Sequence, residues 1–465
     1  MEEKNEVKTL KEKLFTRRKH GAKVLSKEEI KNSQDFSVGY KDFLNKSKTE
    51  SEAVAYVLEK AKKLGFEKFE MGKSYKPGDK IFAVNRGKNI ALCVIGKNGL
   101  KNGARIAISH VDSPRLDLKP NPVTEQNEIA MLQTHYYGGI KKYQWTTIPL
   151  SLHGKVVKKD GTEINVLIGE SEDDPCFCIT DLLPHLARQQ MSKKVSEFIT
   201  GEDLNVLIGS IPFEGEGSEL VKLNVLKLLN EKYGIVEEDL ISSDLAFVPA
   251  MKAQDVGFDR SMIGGYGHDD RSCAYPCVQA IFEAGVPNET SIAFLTDKEE
   301  TGSDGCTGMK SMFLEYFIED LADAEGLKIR HVLSKSKCLS ADVNAAYDPI
   351  YASDFEILNS SFINRGVVVT KYTGSGGKYG TSDASAEFTG EIAKLLNENN
   401  VLWQSSELGK VDNGGGGTIA KYIANFNMDV IDIGVPVLSM HAPYEVISKI
   451  DLYMTFKAIN SFFKA

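Results

Sequence analysis

Short apolar runs alternate along this chain with segments of helical periodicity, and each run ends at a glycine, an asparagine or a polar cluster. Ile90-Ala91-Leu92-Cys93-Val94-Ile95 and Arg105-Ile106-Ala107-Ile108-Ser109 come first, and 291–295, 330–333, 366–371 and 429–433 follow, with a helical pattern over 272–284. Apolar runs of this length read as strands covered on both faces. Strands interleaved with helices predict an α/β fold: a mostly parallel or mixed sheet sandwiched by helices. Residues 1–70 read as helical, with capping boxes at Ser26-Lys27-Glu28-Glu29 and Thr49-Glu50-Ser51-Glu52. From 120 to 245 the texture changes to hairpin-like segments, such as 154–162, and charged loops. This stretch reads as a β-rich insertion that splits one domain into 1–119 and 246–465.

Composition narrows the function classes. A chain of 465 residues with 42% hydrophobic content can bury a large core. Its 65 acidic against 56 basic residues leave no excess to neutralise phosphates, so nucleic acid is not expected as a partner. The start is polar and acidic, and no run reaches the roughly 20 apolar residues that cross a bilayer. A cytoplasmic protein without a membrane partner is the expectation. The basic cluster Arg17-Arg18-Lys19-His20, with acids interleaved nearby, reads as a solvated helix face. Seven cysteines at low density do not form a disulfide framework or a structural zinc unit. Cys273 and Cys277 share a helical face and Cys176 and Cys178 have strand spacing; all read as small buried side chains.

Acids and histidines gather where strands or helices should end. Thr296-Asp297-Lys298-Glu299-Glu300-Thr301-Gly302 follows the run at 292–295, and ligand chemistry in open α/β sheets collects outside the carboxyl ends of strands. Neighbouring side chains on an extended segment diverge, so one glutamate can ligate a metal while the other acts as a general base. An ordinary acidic turn is the plain alternative. In Ser109-His110-Val111-Asp112-Ser113, a carboxylate two residues after an imidazole can bond its outer nitrogen and fix the tautomer. Gly267-His268-Asp269-Asp270 precedes a helix, Ser340-Ala341-Asp342-Val343 places an acid among small residues, and Leu438-Ser439-Met440-His441 closes a buried-looking run. Helix caps, turns and surface imidazoles would each account for one of these alone. Together they supply an inventory suited to two divalent ions sharing a carboxylate and a water. Imidazole and carboxylate without thiolate favour zinc, with cobalt or manganese also accommodated.

These ordered motifs resemble the aspartyl aminopeptidases and the related vacuolar aminopeptidase I type, dinuclear zinc exopeptidases. The resemblance spans nearly the whole chain. Its strongest elements are 109–115, Glu299-Glu300-Thr301-Gly302-Ser303 and Leu438-Ser439-Met440-His441. It implies a zinc-exopeptidase-like fold with an inserted oligomerisation domain, peptide substrates, and a homo-oligomer, a dodecamer built from dimers. It implies that His110 and Asp342 hold one metal, that Glu300 and His441 hold the other, and that Asp269 bridges them. Glu299 would be the general base, with Asp112 supporting His110. His268-Asp269-Asp270 departs from the Leu-Asp-Asn pattern common at the bridging position, and Asp269 is the better match to the bridge. A cis peptide bond between Asp269 and Asp270 is also implied. Lys371 is the match for a lysine that recognises an acidic first residue, and His185 for an insertion histidine that reaches a neighbouring subunit's site. Two other functions compete: a catalytically silent assembly or cargo protein that keeps the fold, and a dinuclear-metal deacylase. The complete donor set with an intact Glu299 speaks against the silent protein.

Overall fold

The computed structural model describes residues 2–16 and 19–465. Arg17 and Arg18 of the basic cluster lie outside the described residues. The centre of the molecule is a nine-stranded mixed sheet. Strand Ala104–His110 lies between Thr290–Thr296 and Lys337–Ala341 and runs parallel to both, and Lys337–Ala341 is in turn parallel to Asp429–Gly434. Antiparallel neighbours flank this parallel centre: Asn89–Val94 on one side and Val367–Thr370 on the other. All the central strands therefore end at one edge. His110, Thr296, Ala341 and Gly434 are their last residues.

The sequence of each strand explains its place. Thr290–Thr296 is buried at every position, as a strand covered on both faces must be. Ile90, Leu92 and Val94 face one core while Ala91 and Cys93 face the other, the two-residue alternation of a pleated strand. Helices Lys27–Lys46, Glu50–Lys63, His268–Phe282 and Lys449–Lys464 contribute to the first core, and Phe313–Ala324 and Ala420–Ala424 to the second. Both predicted capping boxes are present, Ser26 with Glu29 and Thr49 with Glu52. Helix His268–Phe282 is buried along most of its length, and its small residues Ala274, Cys277 and Ala280 allow it to lie close on the sheet.

A second, antiparallel sheet of six strands is built only from residues between Arg115 and Pro249. It has its own core around Trp145, Leu150 and Phe247. A smaller five-stranded sheet carries Met262–Gly265, Pro436–Leu438 and Glu445–Ser448 to the carboxyl edge of the main sheet.

Two local expectations fail. Residues 330–333, predicted as a strand, lie in the helix Ile329–Leu333. Ile329, Val332 and Leu333 have the spacing of one helical face and pack on the second core. The strand follows at Lys337–Ala341, where Cys338 and Leu339 are buried. Cys176 is exposed and Cys178 only half-buried, because both lie in an irregular stretch at the surface of the second sheet. Cys273 and Cys277 are buried free thiols.

Candidate metal centre

The carboxyl edge of the parallel strands brings the separated acids and imidazoles together. His110 ends its strand, and its Nε2 lies 3.2 Å from Asp269 Oδ1 and 3.8 Å from Asp342 Oδ1. His441 Nε2 lies 3.3 Å from the other oxygen of Asp269 and 3.4 Å from Glu300 Oε2. Two donor groups result, His110–Asp269–Asp342 and Asp269–Glu300–His441, each with its ligand atoms within 4.8 Å of one another. Asp269 belongs to both.

Both imidazoles are held in the tautomer a metal needs. His110 Nδ1 lies 3.0 Å from the backbone oxygen of Asp112 and 3.3 Å from its carboxylate, and His441 Nδ1 lies 2.8 Å from the carbonyl of Gly139. A carbonyl can only accept, so Nδ1 carries a proton and Nε2 is the nitrogen turned toward the carboxylates.

The glutamate pair does not continue the strand in extended form. Lys298 adopts a left-handed conformation, and Glu299–Thr301 forms a single 3-10 turn that ends at Gly302, itself at φ 93°. Asp112 anchors this turn by accepting the N–H of Glu299 at 3.1 Å and of Glu300 at 3.2 Å. Glu300 enters a donor group, whereas Glu299 lines the same cleft outside both. Asp342 directly follows the strand Lys337–Ala341, and its N–H bonds the carbonyl of Ile433 on the neighbouring strand.

The two adjacent aspartates face different ways across a cis peptide bond. Asp269 faces both imidazoles, while Asp270 accepts a hydrogen bond from Ser109 Oγ at 2.5 Å in a fully buried position. Burial pushes the Asp270 carboxyl well above the usual range. His268 is kept from the centre by Tyr40, whose hydroxyl lies 2.6 Å from its Nδ1, and burial pushes the ring down to about 3.

One carboxylate escaped the sequence reading. Glu445 is buried, and its two oxygens accept the backbone N–H of Asp269 at 3.1 Å and of His441 at 2.8 Å. It ties together two of the facing residues. The signal was an acid entering the short apolar strand Glu445–Ser448, a position unfavourable for a charge without a buried partner.

The electrostatics fit a cation. Burial, the dominant cause, raises Glu299 to about 7 and Glu445 to about 8, and it raises Glu300 and Asp342 well above the ordinary range. Burial alone would lower His441, but Asp269 and Glu300 outweigh it and lift the ring to about 10. The two imidazoles pull the other way on Asp269, which lies below the ordinary carboxylate range despite its burial. Glu300 Oε1 is buried without a hydrogen-bond partner. These donors match divalent zinc, whose ligands must be deprotonated to bind it.

The cleft wall includes Val343, Asn344, Thr370, Leu408, Lys421 and Met440. Lys371 does not line it. That side chain lies just past strand Val367–Thr370 in a neighbouring depression with Trp403 and Glu407, its Nζ 3.7 Å from Asp383. His185 is exposed on the second sheet's lobe and does not line this chain's cleft.

Comparisons with known proteins identify the family. The family model described as aminopeptidase I zinc metalloprotease (M18) matches residues 43–463. A probable M18 family aminopeptidase 1 of Clostridium acetobutylicum is 50% identical over 438 residues, covering 92% of this chain and 94% of that one. The crystal structure of an M18 aminopeptidase from Thermotoga maritima superposes with a TM-score of 0.93 at 44% identity, covering 97% of this chain and all of that one (100%). A structure of the S. cerevisiae mApe1 dodecamer shares the fold, with a TM-score of 0.76 at 23% identity over 93% of this chain and 97% of its own. The chain belongs to the M18 family of zinc aminopeptidases. It is a metal-dependent hydrolase acting on peptides.

The proton affinities give a pH dependence for the metal-free chain. Glu299, Glu445 and His441 each bind a proton more tightly folded than unfolded. Each therefore stabilises the fold below its unfolded pKa, and that contribution is lost as pH rises through about 7, 8 and 10 respectively. With metal removed by a chelator, the thermal midpoint should fall from pH 6.5 to pH 8. Added zinc should restore it most at the upper end. Calorimetry across that range checks this, and a midpoint that rises with pH in the metal-free chain contradicts it.

Proposed function

We propose that this aminopeptidase works with two zinc ions, one on His110 and Asp342 and the other on Glu300 and His441, with Asp269 shared between them. The observation that carries this reading is the Asp269 carboxylate, which turns one oxygen toward each imidazole. Cobalt or manganese suits the same oxygen and nitrogen donors. A pair of divalent ions supplies Lewis acidity that lowers the pKa of a shared water and polarises a scissile carbonyl.

The remaining chemistry falls to the chain's own groups. Glu299, which lines the cleft outside both donor groups, takes the proton of the attacking water and returns it to the leaving amine. Asp112 keeps His110 oriented and fixes the backbone of the glutamate turn. The negative cleft favours the free α-ammonium of a peptide over an internal amide, which is why the enzyme trims from the N-terminus.

For the preferred first residue, an acidic side chain needs a cation on the cleft wall. We assign that role to Lys421, which lines the cleft, in place of Lys371. Val343, Leu408 and Met440 on the same wall favour a second reading, an apolar first residue.

We further propose a homo-oligomer, a dodecamer like the yeast structure and built from dimers, with residues 120–245 as the oligomerisation domain and 1–119 with 246–465 as the catalytic one. The exposed apolar side chains Leu183, Leu186, Met191 and Ile211 support this use of the second sheet's lobe. His185 is exposed in that surface and is our candidate for a residue that enters a neighbouring subunit's cleft. The intact donor set argues against a silent assembly protein.

Two experiments follow. Glu299→Ala should keep both metal equivalents by elemental analysis while turnover falls about 10²–10⁴-fold; undiminished turnover rejects its role. In a panel of N-terminal Asp, Glu and Leu substrates, Lys421→Ala should lower the acidic-to-Leu ratio of kcat/KM and Lys371→Ala should leave it unchanged. A wild-type preference for Leu selects the apolar reading.

A further inference from the structure

The second sheet also reaches the metal centre. Its first strand, Arg115–Gln126, begins five residues after His110 in the sequence, and the hairpin partner Ile129–Tyr137 returns antiparallel so that Tyr137 pairs with Arg115. This register brings Tyr137-Gly138-Gly139 back over the cleft. The Tyr137 hydroxyl donates to Asp112 Oδ2 at 2.8 Å. Gly138, at φ 77°, passes so close that a Cβ there would lie 3.4 Å from both Glu300 and Pro114. Gly139 carries the carbonyl that accepts from His441 Nδ1 at 2.8 Å. One short segment thus touches the supports of both imidazoles.

Its anchoring is firm. The Arg115 guanidinium lies 4.2 Å from the centre of the Tyr137 ring. Arg115 is itself held by Glu50 at 2.8 Å and Asp117 at 2.7 Å. The ring therefore has a fixed face, and its hydroxyl a fixed target. Asp112 Oδ2 accepts from Tyr137 and from the N–H of Glu300, while Oδ1 accepts from the N–H of Glu299 and faces His110 Nδ1 at 3.3 Å. Without the phenol, that carboxylate loses the one side-chain donor that fixes its rotation from the insertion side.

We propose that Tyr137 is a positioning residue of the metal centre: by orienting the Asp112 carboxylate it holds His110 in its metal-binding pose, so that the inserted sheet sets the affinity of the ion on His110 and Asp342. This rests on the ligand assignment made above. Outer partners of ligating histidines typically govern metal affinity by about 10- to 100-fold.

The test is zinc competition against a chromophoric chelator, which reads the affinity of each equivalent without any turnover assay. Tyr137→Phe should weaken one equivalent by about 10- to 100-fold and the other by clearly less. The lost hydrogen bond to a buried carboxylate should also lower the thermal midpoint of the metal-free protein, so the split between the two equivalents is the deciding readout. In a His441→Ala background, where the His110 ion alone remains, Tyr137→Phe should show the full weakening. Tyr136→Phe, a half-exposed neighbour on the same strand, is the control and should move neither equivalent. Wild-type affinities in Tyr137→Phe overturn the proposal, as does equal weakening of both equivalents, the mark of general structural damage. If the wild-type chain itself takes up fewer than two equivalents, the ligand assignment falls and this proposal with it. Two wild-type equivalents together with an unaffected Tyr137→Phe remove the positioning role alone.

Discussion

Buried negative charge at one edge of the sheet is the constraint around which this molecule is organised. Asp112, Asp269, Glu300, Asp342 and Glu445 are all withdrawn from water within one cleft. An uncompensated buried carboxylate costs several kcal/mol even after relaxation. Asp112 and Glu445 are satisfied from within the chain, by backbone N–H groups and, for Asp112, by the Tyr137 phenol and the imidazole of His110. Asp269, Glu300 and Asp342 are left facing two imidazoles whose Nε2 atoms turn inward. Divalent cations answer that arrangement, and the family to which the chain belongs uses zinc.

The parallel strands make this concentration of charge attainable. Each delivers its final residue to the same edge, so His110, the glutamate turn and Asp342 are neighbours although they are far apart in the chain. The small sheet containing Pro436–Leu438 and Glu445–Ser448 completes the ring from the other side. Two staples then fix the geometry. Asp112 fastens the glutamate turn to His110, and Glu445 fastens the backbone of Asp269 to that of His441. The second sheet closes the assembly through Tyr137 and Gly139, so the lobe that bears the exposed apolar surface is mechanically continuous with the active edge.

Much of this was legible in the chain because it depends on short-range chemistry. The capping boxes at Ser26 and Thr49 are local hydrogen bonds, and the apolar runs at 90–95 and 291–295 have the composition of doubly covered strands. The misreading at 330–333 has the same origin: a brief apolar cluster satisfies strand and helix patterns alike, and burial against the second core selected the helix. The glutamate pair follows a strand end, but its two side chains diverge on a 3-10 turn rather than by pleating. Glu445 and Tyr137 went unrecognised since nothing near them in the chain marks a partner that is distant in sequence.

The amino-acid order alone determined the inventory: which carboxylates and imidazoles were available, that they sit at the ends of strands and helices, and that a β-rich segment interrupts an α/β pattern. Tertiary structure decided which of two adjacent aspartates faces the imidazoles, which lysine lines the cleft, and which outer groups hold the donors still. The physical reason is range. Side-chain identity and backbone propensity act over a few residues, whereas orientation and proton affinity at a buried centre depend on ångström-scale distances that exist only after remote strands have paired.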